Sequence, residues 1–178
     1  MGCSCKKKSA DINRLAESTY STDEWGPSFW KLLHLISMKI GTSNNAVILA
    51  DEVRLFDQLL LVLQKTLPCK ECQQDYTTYY NQVKPPSLNN LSAENVRLTI
   101  KQWLLTLHNA VNTRLGKDIT ITTIEEYDNY YKDVTMQPCD NNMLTDSLKA
   151  SLLVRYVMPD GYRKFVSIVT QIRLKLGI

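Results

Sequence analysis

The chain has 178 residues, 44% of them apolar and 22% charged, with six Gly and six Pro; this suits one core, or one core with an appendage, and excludes a disordered chain, a collagen-like repeat and a mucin-like stalk. No apolar run exceeds five residues, as from Leu59 to Leu63, so no transmembrane segment is expected where roughly 20 would be needed; the charged first eleven residues lack the apolar centre of a secretory signal peptide, which predicts an intracellular protein. A net charge of +3 is too mild to argue for nucleic acid, and the basic run Lys6 to Lys8 reads as a solvated tail.

The pattern along the chain is helical nearly throughout, so the fold class expected is all-α. Residues 1–21 read as a flexible tail. From Pro27 to Ile40, Phe29, Trp30, Leu32, Leu33, Ile36 and Ile40 keep the three-and-four spacing of an amphipathic helix, with Pro27 suited to a first position and Gly41 to the stop. A second helix is predicted from Asn45 to Thr66, striped by Val53, Phe56, Leu59, Leu60 and Leu63. Its apolar content exceeds one face, which predicts a second subunit on it as well as the core. A short third helix is predicted from Pro68 to just before Pro85-Pro86. Ser92 caps a fourth, from Ala93 to Leu115, with Gly116 beyond its end. Thr123 and Glu126 have capping-box spacing and open a fifth, through Lys132. From Gln137 to Asn142 the pattern breaks, which reads as a boundary between a bundle over 22–134 and an extension over 135–178. Two further helices are expected there, separated by Pro159-Asp160-Gly161, with a strand as the alternative for the β-branched last segment.

Five cysteines stand at 3, 5, 69, 72 and 139. Without a signal peptide, Cys69-Lys70-Glu71-Cys72 points to metal or redox chemistry rather than to a structural disulfide framework. Three residues apart at a helix start, the two sulfurs share a face within disulfide reach, and the exposed N–H groups of the first turn favour a thiolate. Half a zinc site, a thioredoxin-type motif and an inert packed pair are the alternatives. The first lacks a second Cys/His pair, and the second lacks flanking β-α-β pattern.

The chain has two histidines. Trp30 and His34 lie one helical turn apart, as do His108 and Asn112. Either histidine alone reads first as a hydrogen-bonded core residue. Together they occupy matching settings on helices one and four, with a dithiol helix between them in sequence. Trp30, Trp103 and the aliphatic neighbours supply walls for a flat aromatic ligand, and the imidazoles supply its polar edge.

Trp25-Gly26-Pro27 through Trp30 to His34, then Pro68-Cys69 through Cys72, then Trp103 through His108-Asn109, Val111-Asn112 and Leu115 to Lys117 form three motifs in order. Together they resemble the Erv/ALR-type FAD-linked sulfhydryl oxidases, over roughly residues 22–132. The resemblance implies a bundle of four helices plus a short fifth, holding FAD at its mouth, as a homodimer. It implies that Cys69 is the outer sulfur that meets a client thiolate and Cys72 the inner sulfur against the flavin. Gly26, Trp30, His34, Tyr76, Trp103, His108, Asn112 and Lys117 would line the FAD site, Lys117 toward phosphate. Electrons would pass from protein dithiols (thioredoxin-like or viral clients) to the disulfide, to flavin and to oxygen, giving hydrogen peroxide, with no metal in the site. Two rivals from other classes are a redox-inactive binding module on the same bundle and a zinc-linked scaffold.

The chain departs from the family pattern in three places. Gln73 to Tyr76 follow the dithiol without the usual histidine. After the third motif the sequence carries one cysteine, Cys139, where many members carry a second, structural pair. The tail offers Cys3-Ser4-Cys5 in place of a shuttle Cys-x-x-Cys. A compact enzyme of this kind resembles the versions encoded by large DNA viruses, which places it in the host cytoplasm or the virion. For Cys3 and Cys5 three readings stand: a shuttle dithiol, a lipid anchor formed by Gly2 and Cys3 beside three lysines, and an unmodified tail. Residues 143–178 fall outside the resemblance and are expected to widen a dimer or to shape client access.

Overall fold

Local capping chemistry sets where most helices begin. A computed structural model describes residues 20–43 and 45–178; Gly2, Cys3, Cys5 and the lysine run lie outside the described residues. The first helix, α1 (Thr22–Lys39), starts from a capping box in which the Ser21 N–H donates to Glu24 Oε2 at 2.8 Å. It therefore begins five residues before Pro27, the start expected from sequence. Pro27 sits inside the helix, where it forgoes one N–H bond, and the box upstream outweighs that loss.

Helix α2 (Ala46–Thr66) is capped by Asn45, whose Oδ1 accepts from the N–H groups of Val47 and Ile48 at 2.9 and 3.2 Å. The dithiol helix α3 (Lys70–Gln82) takes Cys69 as its N-cap, so Pro68 precedes it rather than opening it. Helices α4 (Ala93–Arg114) and α5 (Ile124–Tyr131) follow the predicted Ser92 and Thr123 caps. Gln137 to Asn142, where the apolar pattern breaks, are not a gap between helices. Gln137 caps α6 (Pro138–Leu153), with Pro138 in the first turn and Asp140 Oδ2 accepting from the Gln137 N–H at 2.8 Å. The last segment is helix α7 (Pro159–Leu176), not a strand. Among the described residues there are no strands, and no helix is long and apolar enough to cross a membrane.

The helices share one continuous core. Helix α1 packs on α4, α5 and α6, while α2 packs on α3 and along α7. Gly41, after α1, is required by its surroundings: its φ is +69° and an added Cβ would lie 2.7 Å from the Ala93 carbonyl oxygen. Its N–H donates to the buried Glu52 carboxylate at 2.7 Å, and its carbonyl accepts from Arg97 at 3.0 Å, pinning α1 to both α2 and α4.

The extension is built into this arrangement. Helix α7 runs antiparallel to α2, with Lys175 paired to Asp51 at 3.1 Å at one end and Gly161 against Thr66 at the other. It thereby takes up apolar surface of α2 that, in sequence, predicts a second subunit. Phe165 of α7 stacks on Phe29 of α1 with ring centroids 5.8 Å apart, and both rings are buried. On the other side, Lys31 of α1 meets the buried Asp140 of α6 at 2.7 Å.

Removing a buried aromatic ring from such a junction costs about 3–5 kcal/mol. Phe165→Ala is expected to lose that amount in urea denaturation, in one transition followed alike by tryptophan fluorescence and helical circular dichroism. A variant as stable as the parent, or an unfolding step confined to the extension, would show that α7 is a separate appendage.

Candidate functional site

The two histidines meet. Residues 26, 30, 34 and 37 recur at helical spacing along one side of α1, and His108 of α4 comes against that side. Trp30 and His108 stack with centroids 4.0 Å apart and planes within 12°. His34 lies beside it in the same layer, its plane within 25° of that of His108 and its Nε2 2.9 Å from His108 Nδ1. Trp30 and His108 are thus in van der Waals contact, so a flat ring would lie against this stack rather than between its members. Added to Gly26, one turn before Trp30, a Cβ would meet nothing within 4 Å, so that turn leaves open space on the same side.

Helix α5 closes the layer from behind. Tyr127, fully buried, places its Oη 2.6 Å from His34 Nδ1 and 2.7 Å from Ser37 Oγ. Tyr131 packs on His34 at 4.4 Å between centroids. Lys101 of α4 holds α5 in place through Asp128 at 2.5 Å. Ser37, Tyr127 and Tyr131 are absent from the set read in sequence. The available signal was the Tyr127–Tyr131 pair, one helical turn apart just behind the Thr123 cap.

Burial governs the electrostatics. Withdrawal from water lowers His34 from 6.5 to about 3, helped by the neighbouring His108. It lowers His108 to about 4, helped by the positive charge of Lys117. Both imidazoles are neutral at physiological pH. Burial also raises the Tyr127 and Tyr131 phenols, so both keep their protons.

The dithiol helix flanks α4. Cys69 and Cys72 are joined as a disulfide, and the Cys72 N–H donates to Cys69 Sγ at 3.1 Å. Both sulfur-bearing residues are half-buried against the core. Helical spacing puts Cys72, Asp75 and Tyr79 on one face of α3. That face meets α4, because Asp75 pairs with Arg114 at 2.5 Å and Tyr79 lies edge-on to Trp103 at 6.2 Å. Tyr79 Oη is buried there without a hydrogen-bond partner. Tyr76 turns elsewhere, donating to the Leu60 carbonyl of α2 at 3.0 Å, so it is not brought to the histidines. Trp103 is buried and donates to the Val83 carbonyl at 3.0 Å. Among the described residues, no further His, Cys, Asp or Glu gathers with the two sulfurs into a metal-holding group.

Asn112 and Lys117 close the far end of α4. The Asn112 carbonyl accepts from the Lys117 N–H at 2.9 Å, folding the chain back so that the Lys117 ammonium meets Asp23 of α1 at 2.6 Å, in solvent. The Asn112 side-chain amide, half-buried, makes no hydrogen bond among the described residues. Flat rings, neutral imidazoles, a vacant amide and one cation at the rim make a donor set suited to an aromatic group with a polar, anionic tail.

Known proteins resemble this chain over the helices α1 to α5. The description of the Erv1 / Alr family matches residues 27–132. The FAD-linked sulfhydryl oxidase of African swine fever virus (isolate Pig/Kenya/KEN-50/1950) is 31% identical over 108 residues, 61% of this chain and 80% of the viral protein. Protein 347L of Invertebrate iridescent virus 6, whose name places it with the FAD-linked sulfhydryl oxidases, is 28% identical over 95 residues, 53% of this chain and 82% of its own. No solved structure matches the chain at comparable significance.

Because the folded pKa values of His34 and His108 lie below the unfolded value of 6.5, the unfolded chain binds more protons in the window between them. The pair's contribution to stability is therefore complete above that value and is lost as pH falls toward 4. The loss amounts to about 1.4 kcal/mol per pH unit for each histidine. Urea denaturation between about pH 7 and about pH 4.5 is expected to show this fall, and His34→Gln to flatten it. An unchanged slope in that variant would assign the acid sensitivity to other groups.

Proposed function

The chain belongs to the Erv1 / Alr family and is an FAD-linked thiol oxidase, and from that premise we propose that it oxidises protein dithiols at Cys69–Cys72, the electrons passing on to FAD and then to oxygen. The observation that carries the reading is the placement of the disulfide at the N-terminus of α3, with Cys72 on the face turned to α4 and Cys69 at the helix cap.

The thiol chemistry balances on this chain's own atoms. A client thiolate attacks Cys69 Sγ, the Cys69–Cys72 bond breaks, and Cys72 leaves as a thiolate. The client's second thiol, once deprotonated, attacks the client sulfur of the mixed disulfide, and Cys69 leaves in turn. The client has then lost two electrons and two protons. A lower leaving-group pKa speeds such a step. Cys69 gains it from the Cys72 N–H, 3.1 Å away, and from the positive end of α3. The outer role of Cys69 is supported by an open groove of about 310 Å³ that begins at its neighbour Lys70 and continues past Gln74, Thr77 and Thr78, away from α4.

The residues of the site fit FAD: the Trp30–His108 stack suits a flat ring, the unpartnered Tyr79 Oη suits an acceptor on it, and Asn112 and Lys117 suit its polar tail. The chemistry supplied by bound FAD is two-electron acceptance from the dithiol and transfer to oxygen, giving hydrogen peroxide. In this reading Trp30 and His108 orient the cofactor, Trp103 backs the Tyr79 face, and the low basicity of both imidazoles keeps positive charge out of the site.

The reading assigns the thiol and cofactor chemistry to residues 22–134 and a bracing role to residues 135–178. It is supported by Gln73, next to Cys72, whose side-chain N–H groups donate to the Leu67 and Tyr156 carbonyls at 2.9 and 3.0 Å. A homodimer belongs to the proposal through Val47 and Leu61, exposed on α2 two heptads apart on one stripe. The viral relatives support an origin in a large DNA virus, with action in the host cytoplasm or virion.

The purified protein is expected to be yellow. Cys72→Ser should keep the flavin absorbance and lose oxygen consumption with a protein dithiol by on the order of 100-fold or more. A colourless, folded preparation would favour the redox-inactive binding module, and Cys72→Ser turning over at the parent rate would remove the disulfide from the mechanism.

A further inference from the structure

The hydrogen-bond chain behind the histidines has only one consistent arrangement of protons. Ser37 Oγ lies 2.7 Å from the His34 carbonyl oxygen. A carbonyl only accepts, so the single hydroxyl proton of Ser37 is committed there. Tyr127 Oη, 2.7 Å from Ser37 Oγ, must then donate its own proton to that oxygen. Having none left, Tyr127 Oη accepts from His34 Nδ1 at 2.6 Å, so His34 carries its proton on Nδ1. A neutral His34 has a bare Nε2, which accepts from His108 Nδ1–H at 2.9 Å. A neutral His108 is then bare at its own Nε2. Among the described residues that atom has no hydrogen-bond partner, and it is not sealed from solvent. Trp30, stacked on the ring at 4.0 Å, fixes the plane in which this lone pair points.

We propose that Ser37 and Tyr127 are positioning residues that, through His34, lock His108 in the Nδ1–H form, so that Nε2 is presented as an acceptor and the site selects a ligand N–H or O–H at that edge. The inference rests on the reading of this layer as the FAD site. It specifies which kind of group on the nucleotide His108 takes: a hydroxyl or amino donor, not a phosphate or carbonyl oxygen. Burial supports it independently, since withdrawal from water keeps both imidazoles neutral and so keeps each nitrogen's role single-valued.

Two substitutions act on the chain at different atoms. Tyr127→Phe removes the acceptor for His34 Nδ1–H and keeps the ring. Ser37→Ala removes the acceptor for the Tyr127 hydroxyl, which then turns to donate to His34 Nδ1. In either case the low-cost arrangement reverses: His34 carries its proton on Nε2, His108 Nδ1 accepts it, and His108 Nε2 becomes a donor. Nitrogen-15 histidine spectra of the protein, with and without FAD, read the tautomers directly. The expected result is Nδ1–H for both rings in the parent and Nε2–H for both in the two variants. FAD affinity should weaken about tenfold in each, as an accepted bond becomes two opposed donors.

A parent spectrum with the His108 proton on Nε2 overturns the proposal whether or not the variants fold. Unchanged tautomers in a folded variant overturn it as well. Should the parent bind no FAD, the cofactor reading fails instead, and the tautomers measured in the unliganded protein still decide whether the lock exists.

Discussion

A pair of neutral histidines held in contact inside a helical layer is the constraint from which the rest of the site follows. Burying an imidazolium would cost several kcal/mol, so the protein keeps both rings uncharged. A neutral ring has one donor and one acceptor, and each must be matched. His34 finds Tyr127 on one side and His108 on the other, at 2.6 and 2.9 Å. Three helices are thereby tied at one level: α1 by His34 and Ser37, α4 by His108, α5 by Tyr127. The short α5, only eight residues long, would contribute little helical stability alone; Tyr127, fully buried in this chain, and the Lys101–Asp128 pair give it its place.

The dithiol is positioned by a different kind of interaction. Helix α3 has few buried apolar residues; Gln73 and Tyr76 are its buried members, and both attach by hydrogen bonds to carbonyls of α2, of Leu67 just after it and of the α6–α7 connection. The helix is thus oriented about its own axis by polar contacts. That orientation turns Cys72, Asp75 and Tyr79 toward α4 and leaves Lys70, Gln74, Thr77 and Thr78 open. Cys72 thereby shares the face of α3 that meets α4 through Asp75 and Tyr79, while Cys69 sits at the helix cap.

What the sequence disclosed follows the range over which each interaction acts. Asn45, Ser92 and Thr123 cap helices by bonds to residues two or three places on, so their helices were legible almost to the residue. Pro27 misled because a stronger local signal, Ser21 with Glu24, lay upstream of the apolar pattern. Asp140 misled in the same way: a polar cluster without apolar period looks like a gap, yet it is a capping box whose carboxylate also meets Lys31. The pairing of the histidine helices was suggested by their matching motifs. Ser37 was not, since nothing local marks a buried hydroxyl whose partner lies 90 residues away. Tyr76 and Tyr79 differ by three positions in sequence and by which neighbour they face, and only the packing of α3 on α2 and α4 separates them.

The extension reaches the disulfide-bearing turn through its packing on α2 and through the Tyr156 carbonyl. Helix α7 lies along α2 from Asp51 to Thr66, and α2 carries the Leu60 carbonyl that anchors Tyr76 and leads into the Leu67 carbonyl that anchors Gln73. The Tyr156 carbonyl, in the turn before α7, completes the attachment of Gln73. Arg155, beside it, holds a positive φ of 59°, a conformation of some cost for a side chain with a Cβ, which persists only where flanking packing fixes the turn. The disulfide-bearing turn is therefore held between two elements that the extension itself supports. The strength of that support comes from apolar burial on α2, which thiol exchange at Cys69–Cys72 leaves untouched.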